Sequence, residues 1–331
     1  MARRSPKAVM NPTFAAEELV HSTGSPIPMI SQATAVATAA KVALFDGIYL
    51  QHPGHRKLFA QFDYLRELGR AGSGPKRGMR LIGPSSAGKS TALEQYERLD
   101  AKRHKQEDGH VPILRVALDR ACTTKRFVTS ILDRYGDEYS ESSVESTLRK
   151  RMYACIERFR TELIFVDEVQ HLNYRSSARS DPTDALKRIL DDGVASLVFA
   201  GDETALPLMR RNIQLANRMI APCDLMPLTT AGQDPATFKS FVKRLDKAMV
   251  DRGVTKRSSG LDGDQHLRCL FVVSGGLLGR VVNLVRAALE ISARREALFV
   301  EPCDLSGAVR EWAIPQLIVK YDPFSMGIPD A

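Results

Sequence analysis

The chain has 331 residues, of which 44% are hydrophobic and 26% are charged, fractions that are ordinary for a globular protein. No stretch of about 18 apolar residues occurs, which argues against a membrane span. The five scattered cysteines form no CxxC pair, which argues against a zinc site or a disulfide framework and favours the cytoplasm. The formal net charge of +8 favours a polyanionic partner such as nucleic acid.

The first 45 residues are expected to form an N-terminal extension. Four prolines occur before residue 30, which predicts an extended arm that leads into an Ala-rich helix near Ser31 to Phe45. A second helix is expected from Arg56 to Leu68, because its apolar residues recur at helical spacing. The glycine-rich stretch Gly69–Gly78 then predicts a loop.

Short β-prone runs then alternate with helical stretches. This alternation predicts an α/β fold, with a parallel sheet flanked by helices, for residues 46–228. The run Leu163–Val166 has no polar residue and is expected at the centre of the sheet. The predicted strands are Met79–Ile82, Ile113–Leu118, Leu163–Val166, Leu197–Ala200 and Asp224–Leu228. The predicted helices between them are Ser90–Leu99, Thr124–Tyr135, Ser143–Phe159, Pro182–Asp192 and Thr204–Asn212.

Only helical patterns follow Leu228. Residues 229–315 are therefore predicted to form an all-helical domain, with helices near residues 238–249, 267–273, 278–289 and 302–312. Residues 316–331 form a C-terminal tail, which is expected to be extended from Tyr321 onwards because it carries Pro323 and Pro329.

A phosphate-binding motif, G-x-x-x-x-G-K-[ST], lies between the first predicted strand and the helix after it. Its glycines let backbone N–H groups wrap a phosphate, and the helix adds the positive end of its dipole. We expect Lys89 to reach the β- and γ-phosphates and Ser90 to offer a hydroxyl to Mg²⁺. The motif and the residue after it comprise Gly83, Pro84, Ser85, Ser86, Ala87, Gly88, Lys89, Ser90 and Thr91. The sequence therefore predicts a site for ATP and Mg²⁺.

Two acids end the apolar run Leu163–Val166. Because that strand is predicted to be buried beside the phosphate-binding loop, Asp167 is placed to hold Mg²⁺ through water. Glu168 would orient and activate the water that attacks the γ-phosphate. A small-molecule kinase must exclude that water, so the adjacent acid favours an ATPase over a kinase.

These segments together resemble an AAA+ ATPase and, within that superfamily, the transposition ATPases of the TniB/TnsC type. The likeness covers roughly residues 45–315. It is carried by Gly83–Thr91, Phe165–His171, Asn217–Met219 and Ser274–Leu284. The resemblance implies that residues 229–315 are the lid that closes over the nucleotide.

The resemblance also implies roles for two arginines. Arg218 would be the arginine finger that reaches a neighbouring subunit's nucleotide, which requires a ring or a helical filament. Arg210 and Arg211 are nearby competitors for that role. Arg280 would be the sensor-2 arginine of the lid.

The sensor-1 position falls at Gly201–Thr204. Asp202 departs from the usual Asn, Thr or Ser, because an acid near a γ-phosphate would be repulsive unless a metal or an arginine compensated it. The group that fills the sensor-1 position therefore stays open between Asp202, Thr204 and a water molecule.

Double-stranded DNA is the partner that the TniB/TnsC likeness implies, held by its backbone inside the oligomer. The best local candidates combine hydroxyls and cations at a predicted helix N-terminus, which suits phosphate contacts. They are Thr123, Thr124, Lys125 and Arg126. The other basic clusters are Lys102, Arg103 and Lys105, and Arg149, Lys150 and Arg151.

The likeness implies an ATP-dependent regulator of transposition. ATP binding would assemble it on target DNA, the oligomer would recruit or activate a transposase, with a target-selection factor as a further partner, and slow, DNA- or assembly-stimulated hydrolysis would dismantle it. Another AAA+ nucleic-acid ATPase, of the helicase-loader or initiator type, is the first alternative. The second is a nucleotide-gated interaction protein with little turnover.

Overall fold

A computed structural model describes residues 31–103, 109–138, 144–172 and 182–328. The predicted arm before residue 31, Lys105, and the predicted helix start at Ser143 lie outside the described residues. So do the last three residues of the tail.

The centre of the fold is a parallel sheet of four strands in the order β1-β4-β3-β2. The strands are β1 (Gly78–Ile82), β2 (Ile113–Ala117), β3 (Leu163–Asp167) and β4 (Ser196–Gly201). Every residue of β3 and β4 is buried, which confirms that the run Leu163–Val166 is central. All four strands end at the same edge of the sheet, here called the carboxyl edge, and the opposite edge is called the amino edge.

The predicted strand Asp224–Leu228 is wrong. Residues 220–225 run beside β1, and three of their amides donate to β1 carbonyls at 2.8–3.0 Å. Pro222 has no N–H to give, and the side chain of Asp224, not a backbone carbonyl, accepts from the Ile82 amide at 2.9 Å. The pairing is therefore interrupted, and no fifth strand forms in the described part of the chain.

Helices cover both faces of the sheet, because side chains alternate between its faces along each strand. On one face Leu163 and Phe165 pack against α2 and α3. On the other face Ile164 and Val166 pack against α4, α5 and α6. These helices are α2 (Pro53–Ala71), α3 (Lys89–Arg103), α4 (Thr124–Arg134), α5 (Glu145–Arg158) and α6 (Pro182–Asp191). The chain thus has the predicted α/β architecture.

The predicted helix Thr204–Asn212 forms, but its first turn is 3₁₀ and not α-helical, and it ends at Arg211. A 3₁₀ turn (Glu203–Ala205) precedes α7 (Leu206–Arg211), and α8 (Ile213–Ala216) follows. Asn212 separates the two helices, because its side chain accepts a hydrogen bond from the Leu215 amide and caps α8.

The lid is built from α9 (Asp234–Asp251), α10 (Asp264–Ser274), α11 (Leu278–Arg294) and α12 (Pro302–Ala308), which continues into a π-helical turn (Val309–Ala313). The Ala-rich helix α1 (Gln32–Asp46) packs on α11, and Phe45 is buried in the apolar core of the lid. The division of the chain at residues 45, 228 and 315 stays a prediction.

The expectation of an extended tail is wrong for residues 321–328. Asp322 caps a short helix, α13 (Pro323–Met326), and also accepts from the Ser306 hydroxyl. The Pro323 carbonyl accepts from the Cys269 thiol, and Phe324 packs against the lid core. The tail therefore docks on the lid.

Among the described helices none is, by itself, long and apolar enough to cross a membrane. The pair α10 and α11 passes that test only when joined across a bend of 111°.

Candidate functional site

The phosphate-binding loop connects β1 to α3 at the carboxyl edge. The Gly83 amide donates to the Gly201 carbonyl at 3.2 Å, which fixes the loop to the end of β4. A Cβ atom at Gly83 would lie 2.3 Å from the Leu225 carbonyl oxygen, so no larger residue fits there. Gly88 has a φ of +92°, a conformation that favours glycine. The two motif glycines are therefore required by the fold of this loop.

A cavity of about 470 Å³ opens between this loop and the lid. The start of α11 closes it, because a Cβ atom on Gly279 would lie 2.3 Å from the Ser86 carbonyl oxygen. Of the predicted nucleotide-binding residues, those that line the cavity are Ser85, Ser86, Ala87, Gly88, Lys89, Ser90 and Thr91, together with Glu168. Gly83, Pro84 and Asp167 lie behind this lining.

Lys89 places an ammonium group at the cavity wall. Its Nζ donates to the carbonyls of Gly83 at 2.6 Å and Pro84 at 3.1 Å. Burial lowers the pKa of Lys89, whereas the nearby carboxylates of Glu168, Asp167 and Asp202 act in the opposite direction. An ammonium ion held over a loop of backbone amides is suited to bind phosphate.

The two acids after β3 separate into a buried group and an accessible one. Asp167 is 4% exposed, and its carboxylate accepts from the Glu168 amide at 3.0 Å. Glu168 lines the cavity and has a φ of +58°, which is strained for a non-glycine residue and recurs at functional sites. The Asp167 carboxylate and the Ser90 hydroxyl are oxygen ligands of the kind that Mg²⁺ prefers. These residues therefore fit a magnesium ion.

Gln170 is a cavity residue that the sequence analysis did not identify. Its Nε2 donates to the Glu168 carboxylate, and its Oε1 accepts from the Asp202 amide at 3.3 Å. The Asp202 carboxylate accepts from the Thr204 amide at 2.9 Å and from its hydroxyl, and Thr204 is exposed. Of the side chains at the sensor-1 position, Asp202 lines the cavity and Thr204 does not.

Three aromatic residues in the first turn of α2 and just before it also line the cavity, and no sequence pattern indicated them. Burial lowers the pKa of His52 to about 4 and that of His55 to about 3, so both rings are neutral at pH 7. The Tyr49 hydroxyl lies 3.0 Å from His55 Nδ1, and burial raises the pKa of Tyr49 to about 12. The sequence gives only a weak signal here, since these residues belong to no motif.

The two arginines lie outside the cavity lining. Arg280 follows the Gly279 contact in α11, and its guanidinium approaches the Ser274 carbonyl at 3.5 Å. Arg218 stands at the amino edge, where its carbonyl accepts from the Gly78 amide at 3.0 Å. Its guanidinium donates to the Asp191 carboxylate and, at 2.6 Å, to the Gln214 carbonyl. Within one chain Arg218 does not meet the nucleotide cavity.

The predicted DNA-contacting residues fall at two places. Thr123 caps α4 at the carboxyl edge, and Lys125 beside it is exposed. Arg126 pairs with Asp119 at 3.4 Å, and Thr124 is buried. Lys102 and Arg103 are exposed at the end of α3, which runs from the carboxyl edge towards the amino edge.

The surface at the N-terminus of α4, formed by Thr123, Lys125 and Arg126, is here called the α4 face. Backbone and side-chain contacts join the loop before this face to the turn after Glu168. His171 Nδ1 lies 2.9 Å from the Leu118 carbonyl oxygen, and the Cys122 amide donates to the His171 carbonyl at 2.9 Å. The loop that leads into α4 is thus fixed to the turn that follows Glu168.

Solved structures with a similar fold include several ORC proteins. The ORC2 protein of Aeropyrum pernix in its ADP form matches with a TM-score of 0.57 and 16% identity, over 83% of this chain and 73% of that chain. The ORC1 protein of Aeropyrum pernix in complex with DNA matches with a TM-score of 0.58 and 16% identity, over 82% and 69%. Drosophila ORC bound to DNA matches with a TM-score of 0.52 and 12% identity, over 89% and 70%. These likenesses show the AAA+ fold.

A comparison with curated proteins returned no match. A family model described as bacterial TniB protein matches residues 49–225, more than half of the chain. The matched range includes the phosphate-binding loop, the acidic pair after β3 and Arg218. The chain therefore belongs to the TniB family.

Proposed function

We propose that this protein is an ATPase that binds double-stranded DNA and regulates transposition. The cavity carries the proposal, because the phosphate-binding loop with its lysine and the accessible Glu168 line it beside the lid, and the buried Asp167 directly precedes Glu168. The volume of about 470 Å³ is within the usual range of small-molecule sites.

ATP is held mainly by backbone amides. The amides of the loop and Lys89 bind the β- and γ-phosphates, and the first turn of α3 adds its dipole. Ser90 and Asp167 would hold Mg²⁺, which would neutralise phosphate charge. His52, His55 and Tyr49 line the same cavity, with His55 against Gly88 of the loop, and the neutral state of the two histidines adds no positive charge there.

Hydrolysis needs a second subunit. Glu168 accepts a hydrogen bond from the attacking water and orients it towards the γ-phosphate. Arg218 cannot reach the cavity of its own chain, so we assign it to the cavity of a neighbour, where its charge stabilises the transition state. The protein therefore works as a homo-oligomer, a ring or a helical filament, with one nucleotide at each interface between subunits.

DNA binds at the α4 face through its phosphates. Thr123 and Lys125 supply a hydroxyl and a cation at a helix N-terminus, which positions a backbone without reading its sequence. The related fold of ORC1 was solved in complex with DNA, which supports the assignment. Membership of the TniB family supports a transposase as the protein partner, with a target-selection factor as a further one. The five free cysteines support a reducing compartment such as the cytoplasm.

The experiment combines the purified protein with duplex DNA and either ATP or a non-hydrolysable analogue. Electron microscopy is expected to find oligomers on DNA with the analogue, and their loss once ATP is hydrolysed. Pull-down with a purified transposase tests the protein partner. If no analogue-dependent oligomer forms on DNA, the proposed function is wrong.

An initiator or helicase-loader role is the second candidate, and the ORC-like fold is the observation that favours it. Binding to a replicative helicase in the same pull-down, and not to the transposase, would establish that alternative.

A further inference from the structure

We propose that Gln170 is the positioning residue for Glu168. The inference rests on the proposed ATPase activity. Gln170, two residues after Glu168 in the chain, holds the Glu168 carboxylate in the orientation that hydrolysis requires.

The amide of Gln170 is used at both ends. Nε2 donates to the Glu168 carboxylate, whereas Oε1 accepts from the Asp202 amide at 3.3 Å. A carboxylate only accepts and a backbone N–H only donates, so one orientation of the amide satisfies both groups. Gln170 therefore bridges the end of β3 to the end of β4.

The surroundings of Gln170 leave its side chain little freedom. A Cβ atom on Gly201 would lie 2.6 Å from Gln170 Oε1, so a glycine at the end of β4 permits this approach. Gln170 is the middle residue of a 3₁₀ turn (Val169–His171). Val169 is fully buried, and the His171 carbonyl accepts from the Cys122 amide at 2.9 Å. The turn is anchored in the core on one side and to the β2 loop on the other.

Hydrolysis requires the Glu168 carboxylate to be held in one orientation, and the bridge through Gln170 supplies that restraint. A glutamate side chain has several rotatable bonds, and a water must be held within hydrogen-bond reach of its oxygen. With Oε2 of Glu168 fixed by Gln170, Oε1 is left to accept from the attacking water. The strained backbone of Glu168, with φ of +58°, and the Gln170 bond together set where that oxygen lies.

The side chains of Asp202 and Thr204 are hydrogen-bonded to each other. Thr204 donates to the Asp202 carboxylate through both its amide and its hydroxyl. Asp202 caps the 3₁₀ turn Glu203–Ala205, and Thr204 is exposed, so neither side chain offers the cavity a neutral donor. Gln170 is the neutral polar side chain beside Glu168 that lines the cavity.

Two substitutions separate the two bonds. Gln170→Glu keeps the size and an acceptor for the Asp202 amide, but it removes the donor to Glu168 and adds like charge. Gln170→Leu removes both bonds at similar volume. Gln265→Leu, which changes an exposed glutamine on α10, is the matched control.

The experiment measures ATP affinity by calorimetry, and kcat and KM of the DNA-assembled protein by phosphate release. Both Gln170 variants are expected to bind ATP within about twofold of the parent and to lose about tenfold or more in kcat, because the lost bond acts in the transition state. Gln170→Glu is expected to lose at least as much as Gln170→Leu. In a Glu168→Gln background, Gln170→Leu is expected to add no further loss, because its effect passes through Glu168.

Three results would overturn the inference: parental kcat in both variants, a loss confined to ATP affinity, or an undiminished further loss in the Glu168→Gln background. Melting curves identify a variant that fails to fold, and the isosteric Gln170→Glu then decides alone. Absence of turnover in the parent contradicts the proposed ATPase and the inference with it. Normal parental turnover with unaffected variants contradicts the inference alone.

Discussion

The nucleotide cavity and the amino edge around Arg218 differ in how complete they are within one chain. The cavity is assembled from the loop, the acidic turn and the lid, and it is closely packed where Gly279 meets Ser86. At the amino edge Arg218 is held by Asp191 and the Gln214 carbonyl, on the far side of the sheet from the cavity.

In the proposed function, ATP binding and ATP hydrolysis need different parts of the assembly. A single chain would supply the groups that hold ATP, so nucleotide affinity would be a property of the monomer. Turnover would require Arg218 of a neighbouring subunit, which would first have to leave Asp191. Coupled to assembly in this way, ATP binding would favour the oligomer and hydrolysis would dismantle it.

The largest expected effect comes from Arg218→Ala. Turnover of the DNA-assembled protein should fall about 10³-fold, because an arginine finger contributes at least that much in P-loop enzymes. ATP affinity of the monomer should stay unchanged in calorimetry. Arg210→Ala, on the nearby exposed end of α7, is the control.

Oligomers mixed from two variants test whether Arg218 acts on the cavity of a neighbouring subunit. Arg218→Ala subunits keep intact cavities, and Glu168→Gln subunits keep intact fingers, so mixed oligomers should recover turnover that neither variant has alone. Failure to recover turnover in mixed oligomers would contradict the assignment of Arg218 to a neighbouring site.

Glu168→Gln comes next in size. We expect kcat to fall about 10²-fold or more, since a general base contributes about 10²–10⁴-fold, while ATP is still bound. Oligomers formed with ATP should then persist on DNA, as observed by electron microscopy over time. Oligomers that disperse as fast as those of the parent would show that hydrolysis does not dismantle them.

A smaller effect is expected at the α4 face. Lys125→Ala should weaken DNA binding several-fold whatever the sequence, and lower the slope of log affinity against log salt by about 1, as for one phosphate contact. Fluorescence anisotropy at several salt concentrations measures both. Lys256→Ala in the lid is the control, and an unchanged slope for Lys125→Ala would remove this residue from the DNA interface.

The smallest expected effect is on stability at mild acidity. The pKa values of His52 and His55 in the fold are lowered to about 4 and about 3, against an ordinary value of 6.5. The unfolded chain therefore binds more protons between those values, so stability should fall as the pH drops below about 6.5, by at most about 1.4 kcal/mol per pH unit for each histidine.

Melting temperatures of the parent and of His55→Gln between pH 7 and pH 5 test this expectation. The variant should have the shallower pH dependence. Equal slopes would show that His55 is not buried in its neutral form.

The strongest sequence signals were local ones. The loop Gly83–Thr91 could be predicted because its chemistry depends on neighbours in the chain, and the four strands could be predicted from apolar runs. The interrupted pairing at Pro222 and Asp224 could not, because it depends on a side chain that replaces a backbone acceptor beside β1.

The missed features depend on contacts between distant segments. Gln170 is held by the Asp202 amide, which lies 32 residues away in the chain. Phe324 packs the tail against a core that the preceding helices form. The prolines of the tail give no indication of that contact, and they alone suggested an extended chain. Spacing in a sequence does not encode such packing.

We propose that ATP and Mg²⁺ bind between the glycine-lined loop and the acidic pair of a single chain. Calorimetric titration of ATP with Mg²⁺ into the full-length parent and into Lys89→Ala tests it directly. We expect one ATP bound per chain in the parent and a loss of affinity of at least about tenfold in the variant, because Lys89 supplies the charge opposite the phosphates. No heat of binding in the folded parent, or equal affinity in Lys89→Ala, would contradict it.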